Sequence, residues 1–571
     1  FNSNNFKGQS LQASDCRGIS SKYYGRLLFF TIIELHKPVQ EQTGMDEAVE
    51  DESMNTYPED RESLLHRYRD SVAVPYETAL KQVGYGKFHV ALLLLCGWAV
   101  SSDAIEILSV SFMLPSAECD LHLSSGAKGW LNAIVFVGML VGGYFWGSMA
   151  DRAGRRSILM WSLTVNGLGA LASSTSQVFW QFLLMRFISG IGVGGSMPVI
   201  FSYFTEFQPK DGRGQMISAL ATFWMGGNII AAGLAWIVIP HAELGYFSPN
   251  FTYNSWRIFI AICTVPSLTS AALYYLMPES PKFLLQKNRE EMALEVLRTI
   301  HNWNGEKSSF QITALKISED EDVQLNDSEA RNKDISCYHK FTSQAKLMLS
   351  QTKEVFSPSL RRKAVILSII NFTLSFGYYG LWMWFPELFN RVQKYGGSPC
   401  DGIKENIPAN QTNTTTSCNP IPDNWVFFEG FMTALSNLPG NILTVFVMDK
   451  FGRKPLLATS MVISGICVFF IPIVHNKVQN LLLSCAFGAV STVGWNALDV
   501  LQTELFPTAV RSTAFGVMTG IARIAAILGS VVFGQLVDIH CSIPIIMVSV
   551  LLAFGGLCSV KLPNTVQIDI H

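Results

Sequence analysis

The sequence predicts an all-α membrane protein whose twelve transmembrane helices form two pseudo-symmetric bundles of six. Composition, long apolar runs and an internal repeat lead to this prediction. Hydrophobic residues make up 49% of the 571 residues and charged residues only 15%, against roughly 25% in soluble proteins. The mean hydropathy is +0.27. So few charges cannot cover the surface of soluble domains. The net charge of −2 argues against nucleic-acid binding, which needs a basic face.

The apolar runs are long enough for helices that cross a bilayer, because a hydrocarbon core about 30 Å thick needs about 20 apolar residues. They are continuous and lack the two-residue alternation of a membrane barrel. The first six spans are expected at 88–114, 127–149, 157–173, 178–204, 215–240 and 256–277. The second six are expected at 363–386, 425–448, 455–474, 480–503, 513–536 and 543–561.

The spans divide the chain into two bundles and their connecting segments. Residues 1–87 are expected to be a cytoplasmic, mostly disordered region. We interpret 1–44, which precede the acidic segment that Met45 opens, as not native; an unusual natural tail is the alternative. The remaining predicted parts are an N-terminal bundle (88–277), a cytoplasmic central loop (278–362), a C-terminal bundle (363–561) with a luminal loop (387–424), and a cytoplasmic tail (562–571).

Lysine and arginine residues in the short loops predict the orientation. One set of loops is rich in basic residues, and the opposite set carries only Lys128 and Lys477. The basic loops and both termini are therefore expected in the cytoplasm. Glycosylation sequons on the opposite, luminal side begin at Asn250, Asn410 and Asn413.

Cysteines on the luminal side suggest disulfides. Cys400 and Cys418 share the luminal loop and could close it. A bridge between Cys119 and Cys541 is a weaker alternative, because sequence alone does not determine which cysteines pair.

Two motifs recur at a constant spacing of 298 residues. The turn MADRAGRRSIL around Asp151 is echoed by VMDKFGRKPLL around Asp449. A second motif, a glutamate followed seven residues later by an arginine, occurs at Glu206 and again at Glu504. Two motifs repeated in one register indicate duplicated halves, the plan of a transporter whose halves rock against each other.

We expect these repeated motifs to form a latch at the cytoplasmic surface. Asp151 can accept hydrogen bonds from a neighbouring helix end and from arginines, and Gly154 can take a positive φ. Such a latch would break when the halves move; arginines that only anchor the topology are the alternative. The predicted latch residues are Asp151, Arg152, Gly154, Arg155, Glu206, Arg213, Asp449, Gly452, Arg453, Glu504 and Arg511.

Two carboxylates lie within the first span. Asp103 and Glu106 are three residues apart and share a helix face, although a charge at the bilayer centre costs at least about 2.5–3.5 kcal/mol. We expect the pair to carry a proton or to hold a cation; a buried pair satisfied by hydroxyl and backbone groups is the alternative. Arg186, near the luminal end of the fourth span, is interpreted as structural.

Charged and aromatic residues of other spans predict a ligand cavity. Asp499 in the tenth span and Arg523 in the eleventh could pair, or Arg523 could face an anionic substrate group. Aromatic walls for an uncharged or cationic ligand are expected from Trp224, Tyr378, Tyr379 and Trp495. Trp382 and Trp384 are instead assigned to an interfacial belt.

Glycines in the second and fourth spans indicate close helix packing. The run 190–195 lies inside an apolar helix, so we interpret it, with the pairs Gly138/Gly142 and Gly143/Gly147, as a close approach of helices and not as a dinucleotide site. The sequence has no Walker lysine loop, metal cluster or nucleophile elbow. No cofactor, bound metal or enzymatic activity is therefore expected.

Several stretches between Phe88 and Pro563 resemble the major facilitator superfamily and, within it, the synaptic vesicle glycoprotein 2 group. Among them are FMLPSAE, GYFWGSMADRAGRR, PESPKFLL and WNALDVLQTELFPTAVRSTAFG. The resemblance implies the major facilitator fold and a central cavity, which in vertebrate relatives binds racetam-type anticonvulsants. It transfers that cavity to Trp224, Tyr378, Tyr379, Trp495 and Asp499. Arg523 stands where relatives have lysine, and Thr519 where they have asparagine.

The resemblance also implies a location and a partner. It implies sugar-porter-like transport in synaptic or secretory vesicle membranes and a synaptotagmin-type vesicle protein as a partner. The large repeat domain that relatives carry in the luminal loop does not fit here, because only about 38 residues separate the seventh and eighth spans.

Two functions are therefore expected. The first is a transporter that moves a small organic solute across the bilayer by alternating access, coupled to a proton or cation through Asp103 and Glu106. The alternative is a regulator of vesicle exocytosis that keeps the transport fold and acts through protein partners.

Overall fold

The computed structural model describes residues 73–241, 243–248, 251–305, 310–316, 350, 352–395, 400 and 423–563. The helices of the first part are α1 (Tyr76–Val83), α2 (Lys87–Ala117), α3 (Ser125–Ala153), α4 (Arg155–Ser174), α5 (Phe179–Glu206), α6 (Arg213–Val238), α7 (Ser255–Cys263), α8 (Val265–Tyr274), α9 (Pro281–Gln286) and α10 (Glu290–Asn304). Those of the second part are α11 (Arg361–Trp382), α12 (Phe385–Tyr395), α13 (Asn424–Phe451), α14 (Arg453–Phe470), α15 (Lys477–Leu505), α16 (Thr508–Leu536) and α17 (Ser542–Ser559). Strands β1 (Val74–Pro75), β2 (Gly245–Ser248), β3 (Phe251–Asn254) and β4 (Leu315–Lys316) form two small sheets, β1 parallel to β4 and β2 antiparallel to β3.

Eleven helical stretches of the described residues are long and apolar enough to cross a membrane, with α7 and α8 together forming one of them. They lie at eleven of the twelve predicted spans. The twelfth span corresponds to α4, which begins with two arginines and carries Ser162 and Asn166 on its buried face. Polar residues are tolerated there because they face other helices and not lipid. The predicted fold of twelve helices in two halves is confirmed.

Local sequence explains where several helices begin and end. The side chains of Ser124, Asp423 and Asn476 accept hydrogen bonds from the first backbone N–H groups of α3, α13 and α15, as expected for N-cap residues. Gly154 separates α3 from α4 with a φ of 97°, and Gly452 separates α13 from α14 with a φ of 82°. Other residues resist this backbone conformation, so the positive φ predicted for Gly154 is confirmed and recurs in the second copy.

The two halves repeat the same helix pairings. In the N-terminal half (α2–α8), α5 packs against α3 and α4, and α2 packs against α6. In the C-terminal half (α11–α17), α15 packs against α13 and α14, and α11 packs against α16. These are equivalent pairs, six spans apart, so the internal repeat of the sequence corresponds to a repeat of the packing.

Glycines allow α3 and α5 to approach closely. A Cβ atom at Gly138 would lie 2.4 Å from the carbonyl oxygen of Phe187, and one at Gly142 would lie 2.1 Å from that of Ile191. The predicted close approach is therefore confirmed for this pair. At Gly147 an added Cβ would meet nothing within 4 Å, so the second predicted pair does not extend the contact along α3.

The disulfide predicted within the luminal loop is wrong. Cys400 is bonded to Cys541, immediately before α17, with a Cα–Cα distance of 5.2 Å. Cys418 lies outside the described residues, and Cys119, whose bridge to Cys541 was the alternative, is itself disulfide-bonded. Sequence could not identify the pair because it depends on packing: α11 lies against α17, which brings the chain after α12 to the start of α17.

The two ends of the bundle differ in how the halves meet. We call the end that carries Gly154 and Gly452 the basic end and the end that carries the Cys400–Cys541 bridge the disulfide end. At the disulfide end α3 touches α16, since a Cβ at Gly129 would lie 2.9 Å from the carbonyl oxygen of Ser530. There Trp236 of α6 also packs on aromatic rings of α13.

The halves separate towards the basic end. Gly516 and Gly520 lie on the ridge of α16 that reaches α3 through Ser530 and Gly534, yet a Cβ at either glycine would meet nothing within 4 Å. Gly147, on the facing helix α3, is equally open. The space between the halves is therefore a hollow that is closed at the disulfide end and open at the basic end.

Candidate functional site

The two carboxylates of α2 are buried inside the N-terminal half. Asp103 is 0% exposed and accepts a hydrogen bond from Ser196 of α5 at 2.7 Å. Glu106 is 2% exposed and accepts hydrogen bonds from Arg186 and Ser189, also of α5. Both carboxylates of α2 thus point at α5. The hydroxyl groups that the sequence analysis considered as their partners are those of Ser196 and Ser189.

Asn166 of α4 links the two carboxylates. Its amide group lies 3.5 Å from Asp103, and its carbonyl oxygen lies 3.0 Å from the hydroxyl of Ser189, whose single hydrogen is shared between Asn166 and Glu106. The three helices α2, α4 and α5 therefore share one polar network. A change at one carboxylate can reach the other through three hydrogen bonds.

Arg186 has a more specific place than the sequence indicated. It is 0% exposed, and its guanidinium forms an ion pair with Glu106 and donates to Ser109 at 3.3 Å. Sequence reasoning found both members of this pair but did not bring them together. The sequence did contain a signal for this ion pair. A buried arginine needs a carboxylate within reach, and Glu106 was one of the few carboxylates inside a predicted span.

The predicted aromatic wall is assembled in the C-terminal half. The ring of Trp495 lies 6.0 Å from the rings of Tyr378 and Tyr379, measured between centroids. Tyr379 in turn lies 5.0 Å from Phe136 of α3, across the junction of the halves. Trp224 of α6 is partly buried and packs against two hydrophobic clusters, one within the N-terminal part of the chain and one that contains residues of both halves.

Trp382 and Trp384 do not form an interfacial belt, so that assignment is wrong. Trp382 is 5% exposed and stacks on Tyr378, and Trp384 is 0% exposed and stacks on Phe533 of α16. Both tryptophans lie where α11 ends and the amphipathic helix α12 begins, two residues before the predicted luminal loop of 387–424. The break turns their rings inward, which hydropathy alone does not reveal.

Asp499 and Arg523 face the hollow but do not pair. Asp499 follows Trp495 by one helical turn and so shares its face; its side chain is accessible although the surrounding helices enclose it. Arg523 is half-buried; its guanidinium lies 5.9 Å from the ring of Phe136 and 3.6 Å from the sulfur of Met197, both in the opposite half. Thr519, one turn before Arg523, is also half-buried.

At the basic end the repeated ion pair differs from the one predicted. Asp151 is 76% exposed and contacts only Arg155, at 3.4 Å, so it is not held between helix ends in this conformation. Arg155 also pairs with Glu206, at 3.1 Å, and both of these side chains are only 11% exposed. Among the described residues, no ion pair joins Asp151 to the other half.

The second half repeats this ion pair. Arg453 pairs with Glu504 at 3.2 Å, at the same spacing of 298 residues from Arg155 and Glu206. Each pair joins two helices of one half, so it stabilises that half and does not bridge the two. The side chain of Asp449 lies outside the described ones, and Arg152 is exposed.

The arginines that follow the repeated glutamates bond to equivalent backbone positions. Arg213 donates to the carbonyl oxygen of Gln208 and Arg511 to that of Phe506. Arg213 also pairs with Glu77 of α1 at 2.9 Å. The N-terminal copy is therefore held by an additional helix.

Glu279 closes the turn between α3 and α4. Its carboxylate accepts hydrogen bonds from the backbone N–H groups of Arg156, at 3.0 Å, and Ser280, at 3.1 Å. Burial raises the pKa of Glu279, and these N–H groups oppose that shift. The carboxylate satisfies an N–H group at the start of α4 that has no partner within the helix.

A network of ion pairs that the sequence did not indicate joins the halves at the disulfide end. Lys128 of α3 is 1% exposed and pairs with Glu118 at 3.2 Å and with Glu387 of α12 at 2.9 Å. Arg391 of α12 pairs with Glu387 at 3.2 Å and with Asp538 at 2.7 Å. Lys128 was noticed only as a rare basic residue on the luminal side, and nothing in the sequence places it beside α12.

The other predicted features fall outside the described residues or are absent from them. The predicted glycosylation sites Asn250, Asn410 and Asn413 lie outside that part of the chain. Within it, no group of three or more His, Cys, Asp or Glu side chains is arranged to hold a metal ion.

Comparison with known proteins agrees with this architecture. A family model described as "Sugar (and other) transporter" matches residues 93–349, and one described as "Major Facilitator Superfamily" matches residues 428–567. The xylose transporter XylE from E. coli, in a partially occluded inward-open conformation, superposes with a TM-score of 0.60 at 19% identity, over 83% of this chain and 98% of that one. XylE bound to 6-bromo-6-deoxy-D-glucose superposes with a TM-score of 0.58 at 20% identity, over 84% and 96%.

Two equivalent six-helix halves around a polar hollow define a membrane transport protein of the major facilitator superfamily. Synaptic vesicle glycoprotein 2C of Rattus norvegicus is 31% identical to this chain over an alignment of 606 residues, which covers 89% of this chain and 83% of the relative. Synaptic vesicle glycoprotein 2A of Homo sapiens is 32% identical over 607 residues, covering 88% and 81%. The chain belongs to the synaptic vesicle glycoprotein 2 family, whose members are sugar-porter-like membrane proteins and not enzymes.

Proposed function

We propose that this protein is a secondary transporter that moves a small organic solute through the hollow by alternating access. The observation that carries the proposal is the hollow itself: the two halves touch at the disulfide end, separate at the basic end, and enclose Asp499, Trp495 and Arg523. A rocking motion of equivalent halves would open the disulfide end and close the basic end. The solute would then be released on the other side of the membrane.

We propose that a proton drives this motion through the network of Asp103 and Glu106. Protonation of Glu106 would remove its attraction for Arg186, and protonation of Asp103 would remove a buried charge. Asp103 bonds to Ser196, and the next residue, Met197, contacts Arg523 of the other half. The network therefore lies beside a contact between the halves, which supports coupling between protonation and movement.

Uptake into proteoliposomes tests both parts of this proposal. Purified protein in liposomes with a pH gradient should accumulate members of a mixture of radiolabelled sugars, amino acids and organic cations. In Asp103→Asn the accumulation driven by the gradient should fall at least about tenfold. Each pH unit of the gradient supplies about 1.4 kcal/mol, a factor of ten in accumulation, and a variant that does not bind the proton cannot use this energy. Asp211→Asn, which changes an aspartate that is 79% exposed, is the matched control. Gradient-driven accumulation that is the same in Asp103→Asn and in the control would refute the coupling.

We further propose that the protein resides in synaptic or secretory vesicle membranes, with its basic end in the cytoplasm. The names of its relatives support a location in vesicle membranes, and the basic loops support the orientation.

The names of the relatives also keep open the second function, which is regulation of exocytosis through partners such as a synaptotagmin-type protein. Gly520→Trp would fill the open space beside Gly520. If this variant restored secretion in cells lacking the protein, the regulatory function would be favoured; loss of rescue would favour transport.

A further inference from the structure

Two opposite charges in the hollow are left without a partner. Asp499 makes no hydrogen bond or ion pair with any described residue. Arg523, among the same residues, contacts only the sulfur of Met197 and the ring of Phe136. Neither contact neutralises the guanidinium. Asp103 of α2 acts on it electrostatically, but that carboxylate is hydrogen-bonded to Ser196 and forms no ion pair with Arg523 among the described residues.

Several buried charges between the described helices are paired: Glu106 with Arg186, and Lys128 with Glu387. An uncompensated charge at membrane depth costs at least about 2.5–3.5 kcal/mol, and buried charges are normally paired or hydrogen-bonded. Two charges of opposite sign that form no ion pair in one hollow indicate that their partners come from a ligand.

The two charged groups lie at similar depth. Asp499 is six residues from the basic end of α15 at Leu505. Met197, which the guanidinium of Arg523 contacts, is nine residues from the basic end of α5 at Glu206. At about 1.5 Å per residue, this difference corresponds to roughly 5 Å along the bundle. The two charges therefore meet one requirement for binding the same small molecule, which is a comparable depth in the hollow.

An aromatic surface connects them. Trp495, one turn from Asp499, contacts Tyr379; Tyr379 contacts Phe136; and Phe136 lies beside the guanidinium of Arg523. The faces of these rings attract cations and bury apolar groups. The hollow thus combines an anionic group, an aromatic surface and a cationic group.

We infer that the substrate is a small zwitterion, an amino acid or a compound with a similar pair of charges. Its ammonium group binds Asp499 next to Trp495, its carboxylate binds Arg523 in the two-pronged manner that guanidinium favours, and its apolar part packs on Tyr379. A cation or an anion alone binds less well because one protein charge stays unpaired. The inference rests on the proposed transport function for the site and specifies its substrate class.

Matched ligands test the inference by titration calorimetry of the purified full-length protein. The probes are leucine (zwitterion), leucinamide (cation), N-acetylleucine (anion) and N-acetylleucinamide (neutral), with 4-aminobutyrate as a second zwitterion of wider charge spacing. At least one zwitterion should bind about tenfold or more tightly than each singly charged probe, the ratio expected from one charged hydrogen bond. If neither zwitterion binds more tightly than N-acetylleucinamide, the inference is wrong.

Two substitutions should change the ligand charge that the site prefers, in opposite directions. Asp499→Asn should weaken zwitterion binding about tenfold or more and leave N-acetylleucine the tightest probe, whereas Arg523→Gln should favour leucinamide. Asp211→Asn and Arg361→Gln, at exposed positions, should bind as the unsubstituted protein does, and equal melting temperatures show that all variants fold. Equal loss of all probes in both hollow variants would overturn the inference.

Binding and uptake separate this inference from the proposed function. Zwitterion binding without any uptake would retain the site and refute transport. Uptake of a sugar without zwitterion binding would retain transport and refute the substrate class.

Discussion

At the scale of single residues, the same types of charge serve different roles in different surroundings. Glu106 and Arg186 are both buried, and each satisfies the other. Asp499 and Arg523 carry the same pair of charges but face the hollow without a mutual contact. A pair that is closed on itself holds α2 against α5, whereas charges that remain open are available to a ligand.

Breaking the buried pair should destabilise the N-terminal half. Arg186→Met leaves Glu106 uncompensated and should lower the free energy of unfolding by about 3–5 kcal/mol, measured by denaturant unfolding in detergent. The double variant Glu106→Gln/Arg186→Met removes both charges and should recover most of that loss. A double variant as unstable as Arg186→Met would show that packing, and not the ion pair, is responsible.

At the scale of secondary-structure elements, small residues and ion pairs determine which helices touch. Glycines bring α3 and α5 into backbone contact, where a methyl group has no room. The repeated pairs Arg155–Glu206 and Arg453–Glu504 join helices within each half. The helices of each half are thus joined by ion pairs that the other half repeats.

Two glycines of the same helix should respond differently to one added methyl group. Gly142→Ala places a Cβ 2.1 Å from the carbonyl oxygen of Ile191 and should lower the free energy of unfolding by about 1–3 kcal/mol. Gly147→Ala meets nothing within 4 Å and should be neutral or stabilising by up to about 1 kcal/mol, because alanine favours helix. Thermal unfolding of the two variants side by side measures the difference, and similar losses would contradict the packing account.

At the scale of the whole molecule, the contacts between the halves are concentrated at the disulfide end. There Lys128 connects α3 to α12 through Glu387, and the carbonyl oxygen of Met383 accepts hydrogen bonds from Ser111 and Asn132 of the N-terminal half. These interactions would have to break for the disulfide end to open. They therefore set the stability of the conformation that is open at the basic end.

Loss of Lys128 should shift the molecule towards opening at the disulfide end. A water-soluble maleimide should label Gly520→Cys, in the open part of the hollow, but not Ser530→Cys, which replaces a residue 0% exposed. Adding Lys128→Met to Ser530→Cys should raise its labelling rate at least about tenfold, the ratio that 1.4 kcal/mol represents. Site-specific labelling is read by mass spectrometry, and an unchanged rate would show that Lys128 does not hold this end closed.

Particular residues show how far the sequence could predict the site. Asp103, Glu106, Asp499, Arg523 and the aromatic residues around Trp495 could be chosen because charge and aromatic rings inside apolar runs are unusual. Their partners could not be chosen. Whether Arg523 pairs with Asp499 depends on the rotation of two helices. The contact of Arg155 with Glu206, in addition to Asp151, depends on the packing of α4 on α5.

The sequence by itself determined the membrane-spanning helices, their division into two equivalent halves and the residue types of the site. These follow from local quantities: the length of apolar runs, the register of a repeat, and the preference of certain turns for glycine. Only the tertiary structure decided the Cys400–Cys541 bridge, the inward-facing Trp384, and the contact of Lys128 with Glu387. Each of these joins residues that are far apart in the chain, and their approach depends on the packing of several helices at once, which no local pattern encodes.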